Sequence, residues 1–289
     1  MTSSERTSQQ DIVLELTNVR IHNDLADVEI VHGVSFTLRR GGVVGIVGES
    51  GSGKSLTCRA ILGILPQFIE VSGGSIALLG QDVSTLGRKD WIRLRGTNIS
   101  AVFQDPASYL NPSIRVGKQI QEELRVKRGL GRAAARKRTI ELFEAVHLRD
   151  PEYVYQQYTH ELSGGMLQRV LIASAIALEP DILIADEATT ALDVTVQAEI
   201  LSLLNELKTQ TGLSLIVVSH DLAVVAQLCD QVLVMKDGQV VEQGSTEDIL
   251  YSPQHEYSKL LISEHEQYGL ERFLEPAEAE QQIEELDYA

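Results

Sequence analysis

Eight consecutive residues, Gly48-Glu49-Ser50-Gly51-Ser52-Gly53-Lys54-Ser55, have the spacing of a loop that wraps a phosphate. Glycines at these intervals let successive backbone N–H groups turn inward around an anion, and a helix opening at the lysine adds its positive end, with the amide of Leu56 in its first turn. Lys54 supplies a point charge for the β- and γ-phosphates of a nucleoside triphosphate, and Ser55 a hydroxyl for Mg²⁺. Far along the chain, residues 182–187 read ILIADE. An apolar strand ending in Asp186 sets one carboxylate beside the magnesium, and Glu187, one residue further, can polarise the water that attacks the γ-phosphate. Between these two lies Leu162-Ser163-Gly164-Gly165-Met166, where a serine suited to capping a helix precedes glycines that leave backbone N–H groups bare. In isolation that segment is an ordinary capped helix. Beside a phosphate loop it is a second anion site, and one nucleotide does not need two such ends from one subunit, so it is expected to face the nucleotide of a neighbour.

Strands must carry these groups. Residues 12–20 alternate apolar and polar as a half-buried strand does, and so do 34–38. Residues 43–48 form a short apolar run into the glycines, followed by a helix over 54–64, which is the order a phosphate loop requires. Further strands are expected at 75–79 and 99–104. From 105 to 161 helical patterns take over, at 116–128, 132–147 and 151–158, punctuated by Pro106, Pro112 and Pro151. The core resumes with a helix at 164–178, a strand at 181–186, a helix at 194–210, a strand at 214–219 and a hairpin over 231–243 turning at Asp237-Gly238. Alternating strands and helices predict a largely parallel sheet covered on both faces, with a helical subdomain inserted in it.

With these motifs in this order, the chain resembles the ABC (ATP-binding cassette) transporter ATPases over about residues 11–250. LSGGM is similar to that family's signature motif. Gln104 resembles the glutamine that touches Mg²⁺ and the attacking water and senses the membrane partner. Ala191-Leu192-Asp193 resembles the loop that crosses the dimer interface, and His220, after LIVVS, the histidine that contacts the γ-phosphate. Taken singly, Gln104 and His220 carry little weight. The resemblance implies an α/β phosphate-loop NTPase with a mixed-sheet core, an antiparallel β subdomain and a helical subdomain over about 105–178, preceded by a disordered lead-in at 1–10 and followed by an extension at 251–289. It implies ATP and Mg²⁺ as ligands. It further implies that two such subunits close head to tail over two ATP molecules, and that the chain hydrolyses ATP to drive transport. Between Arg20 and Val34 no aromatic residue offers itself for stacking on adenine; His22, Leu25 and Val28 are the candidates, and the contact stays unassigned.

Residues 103–112 and 252–261 resemble the peptide and nickel importer branch. Cysteine is absent after Cys229, whereas peptide ATPases of that branch commonly carry a cysteine cluster in the extension. Several stretches, among them 31–38, 51–66 and 261–271, look closer to the nickel-import ATPases. Nickel or a nickel chelate is therefore the expected cargo, with di- or oligopeptides as the alternative and a non-transport ATP-dependent switch as the rival from another class. The implied partners are a second, different ATPase subunit, two membrane permeases and, indirectly, an extracytoplasmic binding protein.

The bulk properties agree. At 289 residues and 43% apolar composition a sizeable core is available, and a formal net charge of −16 argues against nucleic acid as a partner. Residues 264–289 hold nine acidic groups and one basic, half of that net charge. No apolar stretch reaches the ~18 residues of a membrane span, nor does the polar start have the apolar stretch of a signal peptide, so the expected place is the cytoplasmic face of the cell membrane, held there by partners. Cys58 and Cys229 read as buried, reduced thiols. The basic run from Arg125 to Arg138 reads as a solvated helix face, with anionic lipid as the functional alternative. His255 and His265 have no tight metal-site spacing.

Overall fold

A computed structural model describes residues 11–104, 109–188 and 193–266. Its centre is a six-stranded mixed sheet in the order β10-β9-β3-β8-β7-β6. The strands are β3 (Val43–Val47), β6 (Ile99–Val102), β7 (Ile182–Asp186), β8 (Ser214–Ser219), β9 (Gln231–Lys236) and β10 (Gln239–Ser245). Five run parallel and β10 returns antiparallel at one edge. The central strands are apolar without alternation because both faces are covered. In β8, Leu215 and Val217 face one core, Ile216 and Val218 the other.

The second core is closed by helix α1 (Lys54–Ile61) and by an antiparallel sheet of β1 (Ile12–Asn23), β2 (Val28–Arg39), β4 (Ile69–Leu78) and β5 (Gln81–Asp82), ordered β2-β1-β4-β5. Strands β1, β2 and β4 are longer than their alternation predicts. Asn18, at φ 50°, inserts a bulge that resets the pattern, leaving Thr17 and Asn18 both exposed and shifting the register against both neighbours.

Helices cover the first core. Between the adjacent strands β6 and β7 the chain makes α3 (Val116–Arg128), α4 (Arg132–Ala145), α5 (Pro151–Gln156) and α6 (Gly164–Ile176). After β7 come α7 (Val194–Thr211), α8 (Leu222–Leu228), α9 (Thr246–Tyr251) and α10 (Glu256–Glu266). Several expected boundaries move. The helix expected over 54–64 ends at Ile61, where Gly63 takes φ 63° and the Ile64 N–H reaches back to the Arg59 carbonyl, a two-bond helix stop. The strand expected over 99–104 ends at Val102, and the helix expected to 158 gives way to a short turn, Thr159–Glu161. Helix α2 (Arg88–Leu94), like α8, α9 and α10, has no counterpart among the elements expected from the sequence. The Asp237-Gly238 turn forms as expected, with φ of 47° and 79°.

In the basic run, Arg125 pairs with Glu122 (2.7 Å), Arg128 and Arg138 with Glu179 (3.2 and 3.1 Å) and Lys137 with Glu141 (3.7 Å), as a solvated face would. No helix among the described residues is long and apolar enough to cross a membrane. The lead-in 1–10, Ala191, Leu192 and the tail beyond 266 lie outside the described residues.

Candidate nucleotide site

Three neighbouring parallel strands carry the motifs at their carboxyl ends, the side on which open α/β sheets bind ligands. Strand β3 ends in the phosphate loop, β7 in Asp186-Glu187 and β8 in Ser219-His220. The register aligns them: Val47 pairs with Ser219 and Asp186 with Val218, and the Glu187 N–H donates to the Val218 carbonyl at 3.0 Å.

The loop is built from inside and outside. Inside, the Lys54 ammonium donates to the carbonyls of Gly48 and Glu49, both at 2.7 Å, tying the loop across its own mouth. Lys54 is buried; desolvation pushes its ammonium below the usual lysine range, against the opposing pull of Glu187 and Asp186. Outside, the hairpin turn braces it: the Gly238 N–H donates to the Ser52 carbonyl at 3.2 Å, and a Cβ on Gly48 would lie 2.0 Å from the Met235 carbonyl oxygen, so only glycine fits there. Helix α1 makes its first turn bond from the Thr57 N–H to the Gly53 carbonyl (2.9 Å), which leaves the amides of Lys54, Ser55 and Leu56 in the unbonded first turn. Among the described residues the buried Ser52 hydroxyl has no partner, an orphan that a phosphate oxygen would satisfy. Ser50 and Gly51 are exposed on the loop's rim. Glu49 differs from the expectation that its backbone serves the ligand. Its N–H donates to the Tyr257 hydroxyl at 2.9 Å, and its carbonyl accepts from Lys54 and Ser52.

Ser55 donates its hydroxyl to Asp186 Oδ1 at 3.0 Å. Burial raises the Asp186 carboxyl above the usual range, with the Ser55 bond working the other way. A desolvated carboxylate beside a hydroxyl is an oxygen donor pair that fits Mg²⁺, which keeps most of its own waters. Glu187 follows with a backbone φ of 51°, an unusual conformation for a non-glycine residue and one that clusters at functional sites. Its Oε2 lies 4.0 Å from His220 Nδ1, and His220 is half exposed. Gln104 stands two residues past the end of β6, exposed, rather than at the strand's last residue.

The second helix start is on the surface. Ser163 caps α6, its hydroxyl accepting from the Met166 N–H at 3.3 Å, and Ser163 and Gly164 are exposed. Among the described residues no hydrogen bond joins it to residues 48–55. Asp193 caps α7, accepting from the Val196 N–H at 3.0 Å. The two caps are neighbours because Gly165 packs on Val196, where a Cβ would approach Val196 Cγ1 to 2.8 Å. Of the adenine candidates, His22 is held by Asp24 (3.1 Å) and Asp27 (3.6 Å), while Leu25 and Val28 are exposed at the β1–β2 turn.

A sequence profile of the ABC transporter family matches residues 31–190. The chain is 47% identical over 236 residues to the dipeptide transport ATP-binding protein DppD of Bacillus subtilis, covering 81% of this chain and 70% of that one. It is 43% identical over 264 residues to the oligopeptide transport ATP-binding protein OppD of Salmonella typhimurium, covering 91% and 78%. Its fold matches the dimeric post-hydrolysis structure of the ATP-binding cassette MJ0796 bound to ADP and Pi, with a TM-score of 0.72 and 28% identity over 81% of this chain and 98% of that one.

Proposed function

Because the chain belongs to the ABC transporter family, we propose that it is the ATP-hydrolysing subunit of an importer for di- or oligopeptides. The observation that carries the reading is the convergence of Lys54, Asp186, Glu187 and His220 at the carboxyl ends of β3, β7 and β8. In this reading the amides of residues 50, 51 and 53–56, with the Ser52 hydroxyl and the Lys54 ammonium, hold the β- and γ-phosphates. Mg²⁺, when bound, neutralises phosphate charge from beside Ser55, Asp186 and Gln104. Glu187 accepts the proton of the water whose oxygen attacks the γ-phosphorus, while the bond to the ADP oxygen breaks. His220 and Lys54 stabilise charge on the transferring phosphoryl group.

The helix start Ser163-Gly164-Gly165, exposed at its first two residues, and Asp193 serve the nucleotide of a second ATPase subunit. The likeness to a dimeric cassette holding ADP and Pi supports this. The remaining partners are two membrane permeases, with an extracytoplasmic binding protein acting through them.

On cargo, the relatives' names favour peptides over the nickel expected from the sequence. The stretches that suggested nickel lie in the ATPase itself, which in this architecture never meets the cargo, so their likeness constrains ancestry more than chemistry. Uptake of a labelled dipeptide and of radioactive nickel, compared in cells with and without the gene, separates the two. Loss of peptide uptake with nickel uptake intact is expected; the reverse reinstates nickel.

A further inference from the structure

The Glu49 amide of the phosphate loop is held by a residue 208 positions away. Tyr257, in the first turn of α10, is 5% exposed, and its hydroxyl accepts the Glu49 N–H at 2.9 Å. The ring is fixed as well: the Lys236 ammonium stands 4.8 Å from its centroid, at the end of β9 just before the hairpin turn that braces Ser52. The turn leading into α10 is itself anchored. The Glu242 carboxylate on β10 accepts the N–H groups of Gln254 (2.7 Å) and His255 (3.1 Å), and His255 Nδ1 accepts the Tyr257 N–H at 3.2 Å, capping the helix. A chain of direct bonds thus runs from β10 through residues 254–257 to the phosphate loop.

We propose that Tyr257 is a positioning residue of the nucleotide site, and that the segment 252–262 completes the phosphate loop rather than merely following the ATPase domain. The inference rests on the ATP-binding reading above. Without the hydroxyl, the Glu49 amide loses its acceptor, and the Gly48–Glu49 peptide is left held from its carbonyl side by Lys54, so that its N–H side can tilt and shift the amides that follow. The Lys54 and Gly238 braces do not reach that N–H.

The test is ATP affinity and steady-state hydrolysis of the full chain in three forms. Tyr257→Phe keeps the ring and removes only the acceptor. A net hydrogen bond's worth of organisation corresponds to about a three- to tenfold rise in KM and Kd for ATP, with a much smaller change in kcat. Glu242→Gln, which loosens the anchoring turn, is expected to shift KM in the same direction. Tyr251→Phe, at an exposed tyrosine of α9, leaves KM unchanged. A merely structural role would lower the melting temperature and the active fraction without moving KM. Should Tyr257→Phe fail to fold, Glu242→Gln alone decides. The proposal is overturned if the folded variants bind ATP within twofold of the unaltered chain. If the unaltered chain itself binds no ATP, it is the underlying reading that fails.

Discussion

Asp186 is the residue at which function and stability pull hardest against each other. Its carboxyl is buried and raised above the ordinary carboxylate range by desolvation. A raised acid holds its proton more tightly in the folded chain than in the unfolded one. Its favourable contribution is therefore present below the unfolded value and is lost as pH rises through the folded value; above that, the ionised carboxylate is a net penalty. Asp186→Asn is expected to raise the melting temperature of the nucleotide-free protein at neutral pH by about 2–4 °C, and the difference should vanish as pH falls toward about 4. The same variant should lose the thermal stabilisation that MgATP gives the unaltered protein. A lower melting point at neutral pH would mean that the Ser55 bond outweighs desolvation. At this scale much was legible from residue type and spacing, since Lys54, Ser55, Asp186 and Glu187 meet as their motifs require. The bond from Tyr257 to Glu49 was not, because nothing local marks a tyrosine whose partner is 208 positions away.

At the scale of elements, Gly165 sets how closely α6 approaches α7. Two effects compete on adding a methyl there. Alanine is the better helix former by about 1 kcal/mol, while its Cβ would stand 2.8 Å from Val196 Cγ1, and overpacking costs about 1–3 kcal/mol. Gly165→Ala should therefore be neutral to destabilising by up to about 2 kcal/mol in denaturant unfolding. In a Val196→Ala background, where the obstructing methyl is gone, the same change should stabilise. Absence of that sign reversal would show that the two helices do not meet as described. Sequence periodicity located these helices, and Ser163 carries its capping signal locally, whereas Asp193 was picked out by family resemblance and its capping role appears in the structure alone. It fell short where a local irregularity interrupts the period. The Asn18 bulge hid the last residues of β1, and the glycine stop after α1 lies inside an apolar run that reads as continuing helix.

Across the whole molecule, the proposed triphosphate site and the separate, exposed helix start at Ser163 are expected to meet when two ATPase subunits come together. Replacing Glu187 by Gln should cut phosphate release about a hundredfold or more while leaving ATP-dependent association intact, so the variant should accumulate as a dimeric species when ATP is added. In these mixtures the second, distinct subunit is the expected partner. Phosphate release unchanged in Glu187→Gln would remove the residue from its role, and association unaffected by ATP would argue against a shared site. No single segment announces this arrangement: it follows from the ordering of motifs that one polypeptide keeps apart.

The two native cysteines have a practical corollary. Cys58 is fully enclosed behind the phosphate loop, Cys229 is packed against Gly45 with only 8% of its surface showing, and burial pushes both thiols far toward the protonated form. Neither offers thiolate to an alkylating reagent while the fold holds. A cysteine introduced at Val194, 67% exposed beside the α7 cap, would therefore be the one reactive handle on a silent background. A spin or fluorescence label there would report the approach of a second subunit in real time, with no need to strip the natural sulfur out of the core first.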